Sequence, residues 1–196
     1  MKENGKRGKI IRVGFDLFDK FGYNGTSINE IIKVARIPKG SFYHYFESKE
    51  AFMIEVMKDY SFKVCDCIDN YLRNKSIEPD KRIKKMYHDF VESYENTGAF
   101  PYGSFASKIN SEVGDKYPKI RKSSNEVYCQ IIESHAYCLR KSKLNSNIRS
   151  ALNKNEIAQT IVYCWEGAVL RMQSTSRIEP LHLFQNILNN YLLKID

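Results

Sequence analysis

The chain has few of the residues that interrupt regular structure: five prolines and ten glycines in 196 residues. With so little punctuation, and with apolar residues recurring at three- and four-residue spacing, the sequence reads as helix throughout. It lacks any run of about 18 consecutive apolar residues, which excludes a membrane span. The charged segment from Met1 to Lys9 is not followed by the apolar stretch of a secretory signal. Its five cysteines, Cys65, Cys67, Cys129, Cys138 and Cys164, are odd in number and fall in helical segments rather than in loops of a small stapled domain. A reducing cytoplasm is the expected compartment. Ordinary shares of hydrophobic (42%) and charged (28%) residues exclude wholesale disorder and collagen-like or coiled-coil classes, and the length suits one core or two small packed domains.

Catalytic and metal-binding patterns are missing too. Cys65 and Cys67 lie two apart, so on a helix they point to different sides. His135 and Cys138 share a face, but two ligands are too few, and a packed imidazole with satisfied nitrogens is the plainer reading. There is no Gly-rich phosphate loop, nucleophile elbow or paired-His motif. No catalytic residue, metal ligand or cofactor is expected.

What is present is positive charge. Lys and Arg number 31 against 23 Asp and Glu, a net +8, which favours an anionic partner such as nucleic acid. Residues 1–50 carry ten of those basic and six of those acidic side chains, so a quarter of the chain holds half of the excess.

The first helix is expected from about Lys6 to Phe21, with Gly22 as its stop, and Gly14 inside it is tolerable if a neighbouring helix passes closely. Ser27-Ile28-Asn29-Glu30 is a capping box that opens a helix to about Ala35. After a turn at Arg36-Ile37, Pro38 starts a very short helix ending near Tyr45. Ser48 caps a long helix to about Arg73. Further helices are expected at about Asp80 to Asn96, Tyr102 to Val113, Pro118 to Lys143, Asn155 to Ser174 and Pro180 to Lys194.

Three short helices and then a long one, in a basic N-terminal segment, form the arrangement of a helix-turn-helix head. The residues Phe21-Gly22-Tyr23, Gly25-Thr26-Ser27, Glu30-Ile31 and the tract Lys39-Gly40-Ser41-Phe42-Tyr43-His44-Tyr45-Phe46-Glu47-Ser48-Lys49-Glu50-Ala51 closely resemble the TetR family of transcriptional regulators. The likeness is dense over about residues 6–56. It implies a homodimer that binds a double-stranded operator through its heads and releases it when a small molecule occupies the C-terminal domain. Pro101-Tyr102-Gly103-Ser104-Phe105 and Ile109-Asn110-Ser111-Glu112-Val113 look like one subgroup in which a cysteine often follows that glycine. Ser104 stands there instead, so the likeness implies no thiol switch at this position.

The chemistry of the head is also readable residue by residue. Gly40 removes a Cβ that would hold a duplex away from the short helix. Lys39 is the candidate for direct base readout, with Ser41 as a small hydroxyl able to serve base or phosphate. Tyr43, His44 and Lys49 suit phosphate, as do the helix starts at Ser27 and Ser48 and the hydroxyl of Thr26. Phe42 and Phe46, four apart, are core. Tyr45 either faces the groove or packs on the first helix. Arg36 and Pro38 stand where the family often has a glycine and a capping serine, which alters the turn and leaves Arg36 free to approach a phosphate.

In the C-terminal region the aromatics Phe62, Tyr87, Phe90, Tyr94, Phe105, Tyr128 and Trp165 are candidates to line an effector cavity, with core packing as the alternative for each. Two apolar stripes, Ile157, Ile161, Cys164, Ala168 and Met172, and then Leu181, Phe184, Leu188 and Tyr191, are candidates for the dimer seam, although an intramolecular core shows the same periodicity. Lys81-Arg82 and Lys84-Lys85 read as a solvated basic face. The expectation is an all-α protein with a DNA-binding head at residues 1–48 and an effector and dimerisation domain at 49–196. The competing readings are an effector-independent DNA-binding or architectural protein and a small helical enzyme.

Overall fold

The computed structural model describes residues 5–98, 104–142 and 152–193. They are helical, with no strand among them. In chain order the helices are α1 (Lys6–Phe21), α2 (Ile28–Ala35), α3 (Lys39–Tyr45), α4 (Lys49–Leu72), α5 (Pro79–Thr97), α6 (Phe105–Val113), α7 (Pro118–Lys141), α8 (Lys154–Thr175) and α9 (Glu179–Ile187). The expected final helix is interrupted: α9 stops at Ile187 and the chain continues as a π-helical turn, Leu188–Leu192. The expected ends at Tyr102, Lys143 and Lys194 lie outside the described residues.

Local chemistry sets the ends. Gly22, at φ 75°, closes α1 with its amide donating to the Phe18 carbonyl. The capping box forms in both directions, Ser27 Oγ accepting from the Glu30 amide at 3.1 Å and Glu30 accepting from the Ser27 amide at 2.7 Å. Ser48 Oγ accepts from the Ala51 amide at 3.0 Å. Asn153 and Glu156 repeat the capping box at the start of α8. Gly14 is where helices approach: a Cβ there would sit 2.3 Å from the Phe52 ring, so its helix-propensity cost is offset by close packing of α1 on α4.

The residues divide into two compact units, 1–63 with 105–128, and 64–104 with 129–196. The division does not follow the boundary drawn at residue 48. It falls inside α4 and inside α7, and it groups α6 with the N-terminal helices. In the first unit Ile10, Phe18, Ile31, Phe42 and Phe52 are fully buried, and the rings of Phe15, Tyr60 and Phe105 form a cluster with centroids 4.8–5.9 Å apart. In the second unit α8 packs on α9 around Tyr87, Trp165 and Phe184, whose ring centroids lie 4.8–5.3 Å apart.

Two expectations for the C-terminal region need correction. Ile157, Ile161, Met172, Leu181, Phe184 and Leu188 are buried within the protomer, so they form its own core and are not free for a seam. Cys164 and Tyr191 are exposed and Ala168 is half-buried. Helical periodicity marks an apolar face without saying which chain covers it. On α8, α9 and the π turn the large apolar residues left uncovered are Tyr163 (60% exposed), Leu170 (67%), Leu183 (61%) and Tyr191 (57%). The aromatic set also separates. Phe62 is 64% exposed. Phe105 and Tyr128 belong to the first unit, while Tyr87, Phe90 and Trp165 come together in the second, with Tyr94 half-buried.

Candidate nucleic-acid interface

The short helix α3 is held from behind. Phe42 is fully buried and packs edge-on against Phe52 at 5.2 Å, and Phe46 lies 4.7 Å from the same ring. This anchoring turns the other side of α3 to solvent: Pro38, Lys39, Gly40, Tyr43, His44 and Tyr45 are exposed and Ser41 is half-buried. Tyr45 is turned to solvent and lies edge-on to His44 at 5.0 Å. A Cβ built on Gly40 meets nothing within 4 Å, which leaves its backbone open to approach from outside. Pro38, at φ −63°, serves as the N-cap, and its carbonyl accepts from the Ser41 amide at 2.9 Å.

Arg36 ends α2 in the left-handed conformation, at φ 53°. That backbone explains why a glycine suits this turn; here an arginine bears the strain, of order 1 kcal/mol, and its guanidinium is exposed next to α3. Ser27 is exposed, and although its oxygen accepts from Glu30 the hydroxyl proton remains available to donate.

Thr26 corrects an expectation. It is 1% exposed, and its hydroxyl donates to the Gly22 carbonyl at 2.8 Å, so it staples the turn and has no proton for a phosphate. Lys49 is also partly committed: its ammonium donates to the Tyr23 carbonyl and sits 4.2 Å from the centre of the Tyr23 ring. Burial holds its pKa below the usual lysine range, against the pull of Glu112 and Glu30. It braces the corner between α1 and α2 first.

That corner is tied down by residues far away in the chain. Glu112, on α6, accepts from the Tyr23 amide at 2.8 Å and the Asn24 amide at 2.7 Å. Lys108, one turn earlier, donates to the Asp19 carbonyl at the end of α1. Tyr117 lies 5.2 Å from Tyr23, and burial, then Tyr117, pushes the Tyr23 phenol well above its ordinary value. Two orphan amides and one helix-end carbonyl thus receive charged partners. Sequence alone gave no sign of this latch, because it closes across 88 and 89 residues.

A family model described as bacterial regulatory proteins, tetR family, matches residues 10–56. A second, the tetracyclin repressor-like C-terminal domain, matches residues 79–188, more than half of the chain. The chain belongs to the TetR family. It is 28% identical over 187 residues to the HTH-type transcriptional repressor DhaR of Mycobacterium sp. (strain GP1), covering 95% of this chain and 92% of that one. It is 26% identical to the repressor NemR of Escherichia coli K12, covering 91% and 89%. The crystal structure of reduced E. coli NemR superposes with a TM-score of 0.82 at 25% identity, covering 94% of this chain and 95% of that one. This TetR-family chain is therefore a DNA-binding transcriptional regulator rather than an enzyme.

His135 Nδ1 lies 2.8 Å from the Ile131 carbonyl, which only accepts, so that nitrogen carries the proton and Nε2 accepts from the Tyr87 hydroxyl at 3.0 Å. Both nitrogens are spent, and burial lowers the imidazole to about 4. The Cys138 thiol donates to the Pro79 carbonyl at 3.4 Å, and burial raises it to about 11. On α5, His88, Asp89 and Glu92 bring three donor atoms within 4.8 Å, but Lys85 and Tyr71 already engage Asp89. Arg82 departs from the solvated basic face expected there: it is buried and donates to the Leu72 and Ile77 carbonyls. No helix among the described residues is long and apolar enough to cross a membrane.

Proposed function

We propose that this TetR-family chain is a homodimeric repressor working in the cytoplasm, with residues 1–48 reading a near-palindromic operator and residues 49–196 carrying dimerisation and the response to a small-molecule effector. The observation that carries the reading is α3: an aromatic back buried against α4 and an outward side offering Lys39, Gly40, Ser41, Tyr43, His44 and Tyr45. Lys39 reads base edges. Tyr43, His44, Arg36 and the Ser27 and Ser48 hydroxyls contact phosphates.

The exposed stripe of Tyr163, Leu170, Leu183 and Tyr191 supports a seam between copies on the outer sides of α8 and α9. An effector acts by preferring the conformation in which the two heads no longer fit adjacent grooves, so it weakens DNA binding by its differential affinity. α4 transmits that change because it begins directly after the head, and α6 does so through Glu112 on the α1–α2 corner.

The test is operator spacing. Inserting about five base pairs between half-sites turns one of them by about half a turn, and tight binding should vanish. Equal binding to the parent and inserted sites would mean the heads act independently. Leu170→Glu with Leu183→Glu should give a monomer in sedimentation and the same loss. A thermal-shift screen followed by a DNA-release assay then identifies effectors.

A further inference from the structure

The turn after α6 and the start of α7 carry Lys116, then Lys119, Arg121 and Lys122, with no acidic residue among positions 116–122. All four are exposed, and none has an ion-pair partner among the described residues. A run of this kind on an isolated helix would be an ordinary solvated face. Here its position is fixed. Ile120 is fully buried, which turns its neighbours outward. The amides of Lys116 and Tyr117 both donate to the Val113 carbonyl, at 3.1 and 2.9 Å, closing a tight turn after α6. Tyr117 lies against Tyr23, and Glu112 grips the Tyr23 and Asn24 amides. The basic turn is thereby clamped to the α1–α2 corner, three residues before Ser27 opens α2.

We propose that Lys116, Lys119, Arg121 and Lys122 form a second phosphate-binding surface, one that contacts the duplex backbone outside the half-site addressed by α3. The inference rests on the head reading given above. Its partner is the phosphodiester chain of flanking DNA, without base preference, because long, flexible ammonium and guanidinium side chains offer charge but no rigid base-edge pattern. Rigid attachment to the corner matters: a cation carried on the same compact unit as α3 meets flanking phosphate without a separate docking step. It also places part of the DNA surface on the segment that follows α6, so whatever moves α6 alters affinity directly.

The test uses the full-length protein, the variant K119Q/R121Q/K122Q, and an operator selected from random-sequence duplexes. One duplex ends at the outer edges of the half-sites and another extends about ten base pairs further on each side. On the long duplex the variant should lose about tenfold or more in affinity at low salt. The log–log salt slope should become shallower by about 0.9 for each phosphate contact removed. On the short duplex, variant and parent should bind alike. Unchanged affinity and slope on the long duplex would overturn the inference, and so would an equal loss on both duplexes, the mark of a general charge effect. Lys39→Ala, measured alongside, separates the two claims. If it abolishes operator preference while the triple variant binds normally, the flanking surface alone is wrong; if it changes nothing, the head reading is wrong.

Discussion

In the unit formed by residues 1–63 and 105–128, charged side chains are used on backbone groups of a single corner: Glu112 on the amides of Tyr23 and Asn24, Lys49 on the Tyr23 carbonyl, Lys108 on the Asp19 carbonyl. In the unit formed by residues 64–104 and 129–196, a neutral polar pair, Tyr87 and His135, is enclosed among aromatic rings and both partners satisfy each other. The first arrangement fixes the α1–α2 corner, while Phe42 and Phe46 anchor α3 and leave its outer side free of internal duties. The second stabilises an interior only while His135 stays uncharged. The contrast separates a surface built for an outside partner from a core sensitive to protonation.

The largest effect expected from this contrast is on stability in acid. The ordinary imidazole value is about 6.5, and in the folded protein His135 remains neutral down to about 4. Between those values the unfolded chain binds a proton that the folded chain refuses, so stability present above pH 6.5 falls as the pH drops. The loss from this group should be about 2 kcal/mol by pH 5. Urea unfolding at pH 7 and pH 5, compared with His135→Gln, measures it; an equal acid loss in the variant would sever the pair from the effect.

A smaller effect is expected at the corner. Glu112→Ala leaves two amides without their carboxylate and should cost about 1–2 kcal/mol in unfolding free energy. Operator affinity should fall with it, because the α1–α2 corner positions Ser27 and α2. A variant that melts early yet binds DNA like the parent would break the proposed link from α6 to the head.

Smaller still is the change at Gly40. With nothing near its missing Cβ, Gly40→Ala should raise stability by about 1 kcal/mol through helix propensity. It should nevertheless weaken operator binding by crowding the duplex. Stability and binding rising together would mean that α3 does not approach DNA closely at this point.

Much of the fold was legible from spacing and end signals. The bounds of α1 and α2, the Ser27–Glu30 box and the close approach at Gly14 follow from residues that interact within a few turns or within one packed face. Three things were not legible, for three reasons. The latch of Glu112 closes over nearly ninety residues, and no local pattern encodes such a partner. The faces of α8 and α9 carry apolar residues on more than one side, so periodicity picked the side buried in the protomer and passed over Leu170 and Leu183. Thr26 and Lys49 have the chemistry of phosphate ligands, and only their geometry reveals that a carbonyl already holds each of them.

The central claim is that the outer side of α3 reads sequence through Lys39, and one comparison tests it most directly: binding of Lys39→Ala and of the parent to the selected operator and to a random duplex at one fixed salt concentration. A base-reading lysine predicts a loss of about 1–3 kcal/mol on the operator, with a much smaller change on the random duplex, so that preference collapses. Equal losses on both duplexes would make Lys39 a phosphate ligand, and an unchanged preference would take sequence reading away from this residue altogether.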